Sequence, residues 1–153
     1  MTESNSLSTT LGRSTTAGLV GVVVMTAFQR LVEMPLTGRK ESYAPADLVM
    51  KLSPIHPKRK RDRRRRNYVA HFSVGAAWGA GHAAIAERAG LRGQRAVAAV
   101  FGALYVGDVV ANTALGLYKP WQWTRQDWVV DVVDKLLLAE ATGLVFDGLR
   151  SPV

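Results

Sequence analysis

The chain has 153 residues, no cysteine, a formal net charge of +8 and a pI near 10.3. One domain is expected at this length, and the lack of thiols excludes disulfide frameworks, thiolate metal sites, cysteine nucleophiles and cysteine lipidation. The basic character is local: 11 Lys/Arg and three acids lie between Pro35 and Asn67, a net of +8 that leaves the rest of the chain neutral.

Residues 1–13 are Ser/Thr-rich and without periodicity, and are expected to be disordered. The stretch AGLVGVVVMTAF (17–28) could pass for a signal-peptide core, but the small-x-small pattern after it is poor, so an uncleaved first helix over 14–34 is expected, ended by Pro35. Arg30 and Glu33 near its end have the i,i+3 spacing of a self-neutralising pair. A loop with Pro35, Pro45, Pro54 and Pro57 follows over 35–66. Within it ADLVMKL (46–52) is amphipathic and suited to a membrane surface.

The loop ends in KRKRDRRRR (58–66), eight cations in nine positions. It abuts 67–86, which contains no Asp, Glu, Lys or Arg. A polybasic run against about 20 uncharged, Gly/Ala-rich residues is the mark of a transmembrane helix with a cytoplasmic flank. This second helix is expected over 67–89, a GLRG turn at 90–93, and a third helix over 96–118 closed by Lys119-Pro120. WQWTRQDW (121–128) then places three tryptophans in eight residues, as at a membrane–water interface. A fourth helix is expected over 128–149. It carries Asp131, Asp134, Lys135, Glu140 and Asp147 around an apolar LLLA centre.

The expected fold is therefore all-α: an integral membrane bundle of four transmembrane helices with a basic cytoplasmic loop. The mean hydropathy of +0.03 is low for such a protein, and a soluble amphipathic helix would also look like the fourth. With four spans, the 35–67 and 119–127 loops share one side and hold 13 Lys/Arg, against five on the other. The positive-inside rule makes the first side cytoplasmic.

Lys58, Arg59, Lys60, Arg61, Arg63, Arg64, Arg65 and Arg66 are the candidate anchor to anionic lipid, each worth about 1 kcal/mol near such a surface. Nucleic acid is the lesser reading of that run, because it lacks interleaved aromatics and a recognisable binding fold.

Charges inside a bilayer are costly and normally face a bundle interior or a wet cavity. At 1.5 Å per residue Lys135 lies about 10 Å, Asp108 about 15 Å and Glu140 about 18 Å from the cytoplasmic ends. Asn112 is one turn from Asp108, and Asp131 one turn from Lys135. Arg30, Glu33 and His71 fall in the same cytoplasmic half, and together these residues imply a polar pocket open to the cytoplasm and reaching about the midplane; Asp134 is a further ligand or proton-path candidate. Asp131 and then Asp108 are the expected partners of Lys135. A network that only fixes helix register is the plainer reading of the same residues; a proton, ion or small polar ligand site is the functional one.

His71, Gly75, Gly79 and His82 share one face of the second helix. Gly75-x-x-x-Gly79 is a packing seam, and a candidate contact between copies of the chain. The two histidines are about 16 Å apart along the axis and cannot share a metal. They can bracket a ligand or proton path. No catalytic constellation, cofactor site or metal site is visible.

The spacing His71-x3-Gly75-x3-Gly79, with Glu33-Met34-Pro35 closing the first helix, resembles the YagU-type small bacterial inner-membrane proteins. That resemblance implies a bacterial inner-membrane protein of largely unassigned role; the preferred reading of the whole chain is a non-enzymatic accessory, transport or stress-related component. The competing class is a peripheral or soluble helical protein that binds nucleic acid or anionic lipid through its basic run.

Overall fold

The computed structural model describes residues 2–52 and 60–150. It is all-α, with no strand among the described residues. In chain order the helices are α1 (Thr2–Phe28), α2 (Met34–Thr37), α3 (Ala44–Leu52), α4 (Lys60–Arg88), α5 (Gly93–Ala114) and α6 (Arg125–Leu149). The four long ones lie side by side in alternating directions. α1 packs along both α4 and α6, while α5 flanks α4 and α6.

The α1–α4 crossing is built from glycine. A Cβ added at Gly79 would meet the Ser14 carbonyl and stand 2.8 Å from the Gly18 amide. A Cβ at Gly18 would meet the Gly75 carbonyl. Only residues without a Cβ allow backbones this close. The Gly75/Gly79 seam, read from the sequence as a helix-packing seam, takes α1 of the same chain. Gly21 does the same against α6, where a Cβ would stand 2.8 Å from the Leu138 carbonyl.

Several boundaries differ from the sequence expectation. α1 begins at Thr2, not near Ser14, so 1–13 is not an unstructured tail over its described part. Ser14 is buried against α4, and its hydroxyl donates to the Leu11 carbonyl within the helix. Pro35 does not stop the first helix. A π-helical turn at Gln29–Glu33 precedes it, and α2 continues to Thr37 before Gly38 turns the chain at φ +69°. Pro35 has no N–H to give the Leu31 carbonyl, and a wider turn with Met34 N–H on the Gln29 carbonyl absorbs the offset. The basic run is not wholly loop: Lys58 and Arg59 lie outside the described residues, but from Lys60 it is the start of α4. α5 stops at Ala114, four residues early, where Gly116 takes φ +70°. The GLRG turn is formed, with Gly90 and Gly93 at positive φ.

α6 starts three residues early, on a capping box. The Thr124 hydroxyl accepts from Asp127 N–H, and the Asp127 side chain accepts from Thr124 N–H. The pattern Thr-x-x-Asp before an apolar run was present in the sequence and marks such a start. Thr124→Ala should cost about 1 kcal/mol of stability, read from thermal unfolding in detergent.

Two helical stretches, Ser8–Thr37 and Gly93–Ala114, are long and apolar enough to cross a membrane. The expected four are therefore not matched by composition. α6 has too many charges, and α4 is diluted by Gly, Ala and His. The distribution of charge over the surface adds a second observation. Within 15–29, 67–86, 96–114 and 128–149, every exposed side chain is uncharged. Val23, Val69, Val106 and Leu144 are among those facing out. All six charged residues of the last two stretches are buried or half-buried.

Candidate functional site

The π-turn, the 38–43 segment, α3 and the start of α4 meet the α5–α6 connection at one end of the molecule. Gln126 donates to the Thr37 carbonyl at 3.3 Å, and Arg39 pairs with Asp127 at 3.5 Å. Asn67 straps α3 to α4: its amide nitrogen donates to the Ser42 carbonyl at 3.0 Å and its oxygen accepts from Ala46 N–H at 3.1 Å. These elements enclose a cavity of about 490 Å³ that runs down between α1, α4 and α6. Its size is that of a small-molecule site.

Lys135 lies in its wall. Its ammonium donates to Asp131 at 2.7 and 2.9 Å and pairs with Asp108 at 2.7 Å. It is 13% exposed, and it sits over the rings of Tyr105 and Tyr118 at 5.1 and 5.2 Å. Both expected partners therefore hold it at once. The α5 carboxylate reaches across because Asp108 is itself fixed by Asn112, whose amide donates to its side chain and backbone carbonyl at 2.9 Å.

At similar depth, on the α1 side of the cavity, Gln29 Nε2 donates to Asp134 Oδ2 at 2.7 Å. Asp134 is 7% exposed, and its Oδ1 has no hydrogen-bond partner among the described residues. One turn up α1, Thr26 and His71 Nε2 are 2.9 Å apart. The Thr26 hydroxyl gives its proton to the Val22 carbonyl at 2.6 Å, so the imidazole N–H is the donor to Thr26. The apolar floor is made by Met25, Trp78 and Leu138.

Ion pairs line the mouth. Arg30 pairs with Glu41 at 3.2 Å and Arg39 with Glu33 at 3.8 Å, so the expected Arg30–Glu33 pair is not made. The π-turn rotates Glu33 inward and away from Arg30. Arg63 pairs with Asp47 at 2.9 Å and lies over the Tyr43 ring. Asp127 stands at the wet rim, before the apolar stretch that opens at Trp128. Hydrogen bonds from the Thr124 hydroxyl and amide hold its carboxyl below the usual carboxylate range. That part of the cap is in place above the ordinary carboxylate pKa and is lost as pH falls through the depressed value.

The structure thus gathers His71, Asp108, Asn112, Asp131, Asp134 and Lys135 around one cavity. It leaves Glu140 and His82 out. Glu140 accepts from Gln94 at 2.9 Å near the far end of α5. His82 is fully buried against Phe146 and Gly143, with neither ring nitrogen bonded among the described residues. Five residues beyond Lys135, Glu140 points another way around α6 and is about two helical turns from Asp134. Gln29 and Thr26 were not singled out as site residues. Pro35, six residues beyond Gln29, was the signal that the helix geometry changes there.

Of the proposed lipid anchor, Arg61, Arg63, Arg64 and Arg65 are exposed on the first turns of α4, at the same end as the cavity mouth. No group of three or more metal-ligating side chains occurs among the described residues. Compared with known protein families, curated proteins and solved structures, the chain has no significant match.

Proposed function

We propose that this chain is a four-span protein of a bacterial inner membrane, whose cavity faces the cytoplasm and holds a small polar ligand or ion. Its role is non-enzymatic: an accessory, transport or stress-related component. One observation carries the reading. Within the stretches given above the outward surface of the four long helices is uncharged, for about 22 Å along α1 and about 28–33 Å along α4, α5 and α6, and the charges within them are turned inward. A water-soluble bundle has the opposite arrangement, with charges outside and a continuous apolar core. Here Ser14, His82, Asn112, Asp134 and Thr142 are buried while many valines and leucines face out.

Orientation follows from the same end-to-end asymmetry. The basic turns of α4 and the loop before α6 stand at the cavity end, and the positive-inside rule makes that end cytoplasmic. The exposed arginines then meet the anionic leaflet and anchor the protein there. The resemblance to the YagU-type proteins implies the same membrane. A peripheral reading is favoured by the fact that, among the described residues, two helical stretches are apolar enough to span and not four. In it, the basic turns of α4 would hold the protein to lipid or nucleic acid.

Alkaline carbonate and high-salt washes of membranes separate the two. The protein should remain in the pellet and dissolve only in detergent; release by salt would end the four-span reading. Single cysteines at Ser42 and Arg92 test orientation, since the native chain has none. An impermeant thiol reagent applied to cells with a permeabilised outer membrane should label position 92 and spare position 42. The reverse pattern would invert the topology.

A further inference from the structure

We infer that the cavity binds a small primary ammonium ion, with Asp134 as its counter-ion. This deepens the preceding reading by naming the ligand class, and rests on the cavity described there.

The first support is charge pairing. Seven carboxylates and four Lys or Arg side chains line the cavity. Six of the carboxylates have a cationic partner: Glu33 and Asp127 share Arg39, Glu41 has Arg30, Asp47 has Arg63, and Asp108 and Asp131 share Lys135. Asp134 alone has none among the described residues. Its single bond is from the neutral amide of Gln29, and its Oδ1 is shielded and unbonded. A carboxylate placed this deep calls for a donor with positive charge. The protein withholds one, although Asp134 stands in the cavity wall.

The second support is that the same wall already solvates an ammonium group. Lys135 is held by two carboxylates and two tyrosine faces. Carboxylate plus aromatic π-face is how proteins recognise organic cations. One residue along α6, Asp134 offers the charge, and Trp78 lines the floor with Met25 and Leu138. The alkyl part of an amine has an apolar surface to cover, and its N–H donors reach Asp134. A bare divalent ion would need several oxygen ligands; no such cluster exists among the described residues. An anion would face an excess of carboxylates.

The test uses the full chain in detergent, with n-butylammonium chloride as probe. Butan-1-ol, NaCl and MgCl2 at matched concentration are the controls. Butylammonium should raise the melting temperature saturably and shift the fluorescence of the cavity tryptophans, and the controls should not. Asp134→Asn should weaken binding by about thirtyfold or more, as for loss of one partner of a buried charge pair. Should that variant not fold, Val74→Cys in the otherwise native chain gives a second measure. A cationic thiol reagent should label it about tenfold faster than an anionic one of equal size, through field focusing in the cavity. Butylammonium should protect it. Equal effects of butanol or MgCl2, unchanged binding by Asp134→Asn, or equal labelling rates would each overturn the proposal. If carbonate releases the protein from membranes yet butylammonium still binds through Asp134, the membrane placement fails and this inference stands. If the protein resists carbonate but butylammonium neither stabilises it nor protects position 74, the inference fails and the placement stands.

Discussion

Lys135→Leu is expected to lower the stability of the protein in detergent by about 3–5 kcal/mol, the usual effect of removing one member of a buried ion pair. Leucine keeps an apolar side chain at the position but is shorter and branched, so the contact with the Tyr105 and Tyr118 rings is lost along with the charge. What changes is that Asp108 and Asp131, both held by the ammonium at 2.7 Å, face each other without a cation. Two like charges then share a poorly hydrated wall. The triple variant Lys135→Leu, Asp108→Asn, Asp131→Asn removes the stranded charges and should recover most of the loss. Either double variant should recover part of it. Thermal unfolding across these cycles should give non-additive terms of about 0.5–3 kcal/mol for each pair. A neutral Lys135→Leu with additive cycles would mean that Lys135 is solvated by water, and the polar wall of the cavity would be wrongly placed.

Gly79→Leu is expected to be at least as damaging, for a different reason. Overpacking a core usually costs about 1–3 kcal/mol, because side chains move aside. Here the new Cβ meets the Ser14 carbonyl and the Gly18 amide, which are backbone and cannot rotate away. α1 would have to shift off α4 as a whole, and the Thr26–His71 bond two to three turns below would open with it. A matched control lies on α5: a Cβ at Gly102 or Gly107 meets nothing within 4 Å. Gly102→Ala should be neutral or stabilising by up to ~1 kcal/mol, from helix propensity. Folded yield and melting temperature of the variants in one detergent check the contrast. If Gly79→Leu left the melting temperature unchanged and altered only the oligomeric state, the seam would be a contact between copies, and α1 would not occupy it.

Much of the layout was legible along the chain because it depends on local rules. Uncharged stretches of about 20 residues and the glycines at 90 and 93 placed the third and fourth of the four long helices to within four residues at each end, and the second to within one residue at its C-terminal end only. Charge spacing made Asp131 and Asp108 the candidate partners of Lys135, since one is a turn away and the other at similar depth. The Gly75/Gly79 spacing marked a close helix crossing. Helix propensity, i,i+4 geometry and the cost of a charge in hydrocarbon act over a few residues, and a sequence displays them directly.

Only the tertiary structure decided which surfaces meet. The glycine seam could serve a second copy or another helix equally well, and α1 fills it because Gly18 supplies the matching gap. Glu140 and Asp134 are both acids in α6, but the six-residue step between them, about 240° around the helix, turns one towards Gln94 and the other into the cavity. Arg30 and Glu33 had the spacing of a pair, and the π-turn ahead of Pro35 rotated them to Glu41 and Arg39 instead. Asp134 emerges as the unpaired carboxylate only after every other acid in the wall has found its cation. That is a property of three-dimensional neighbours contributed by α1, α4, α5, α6 and the loops between them, and no local pattern encodes it.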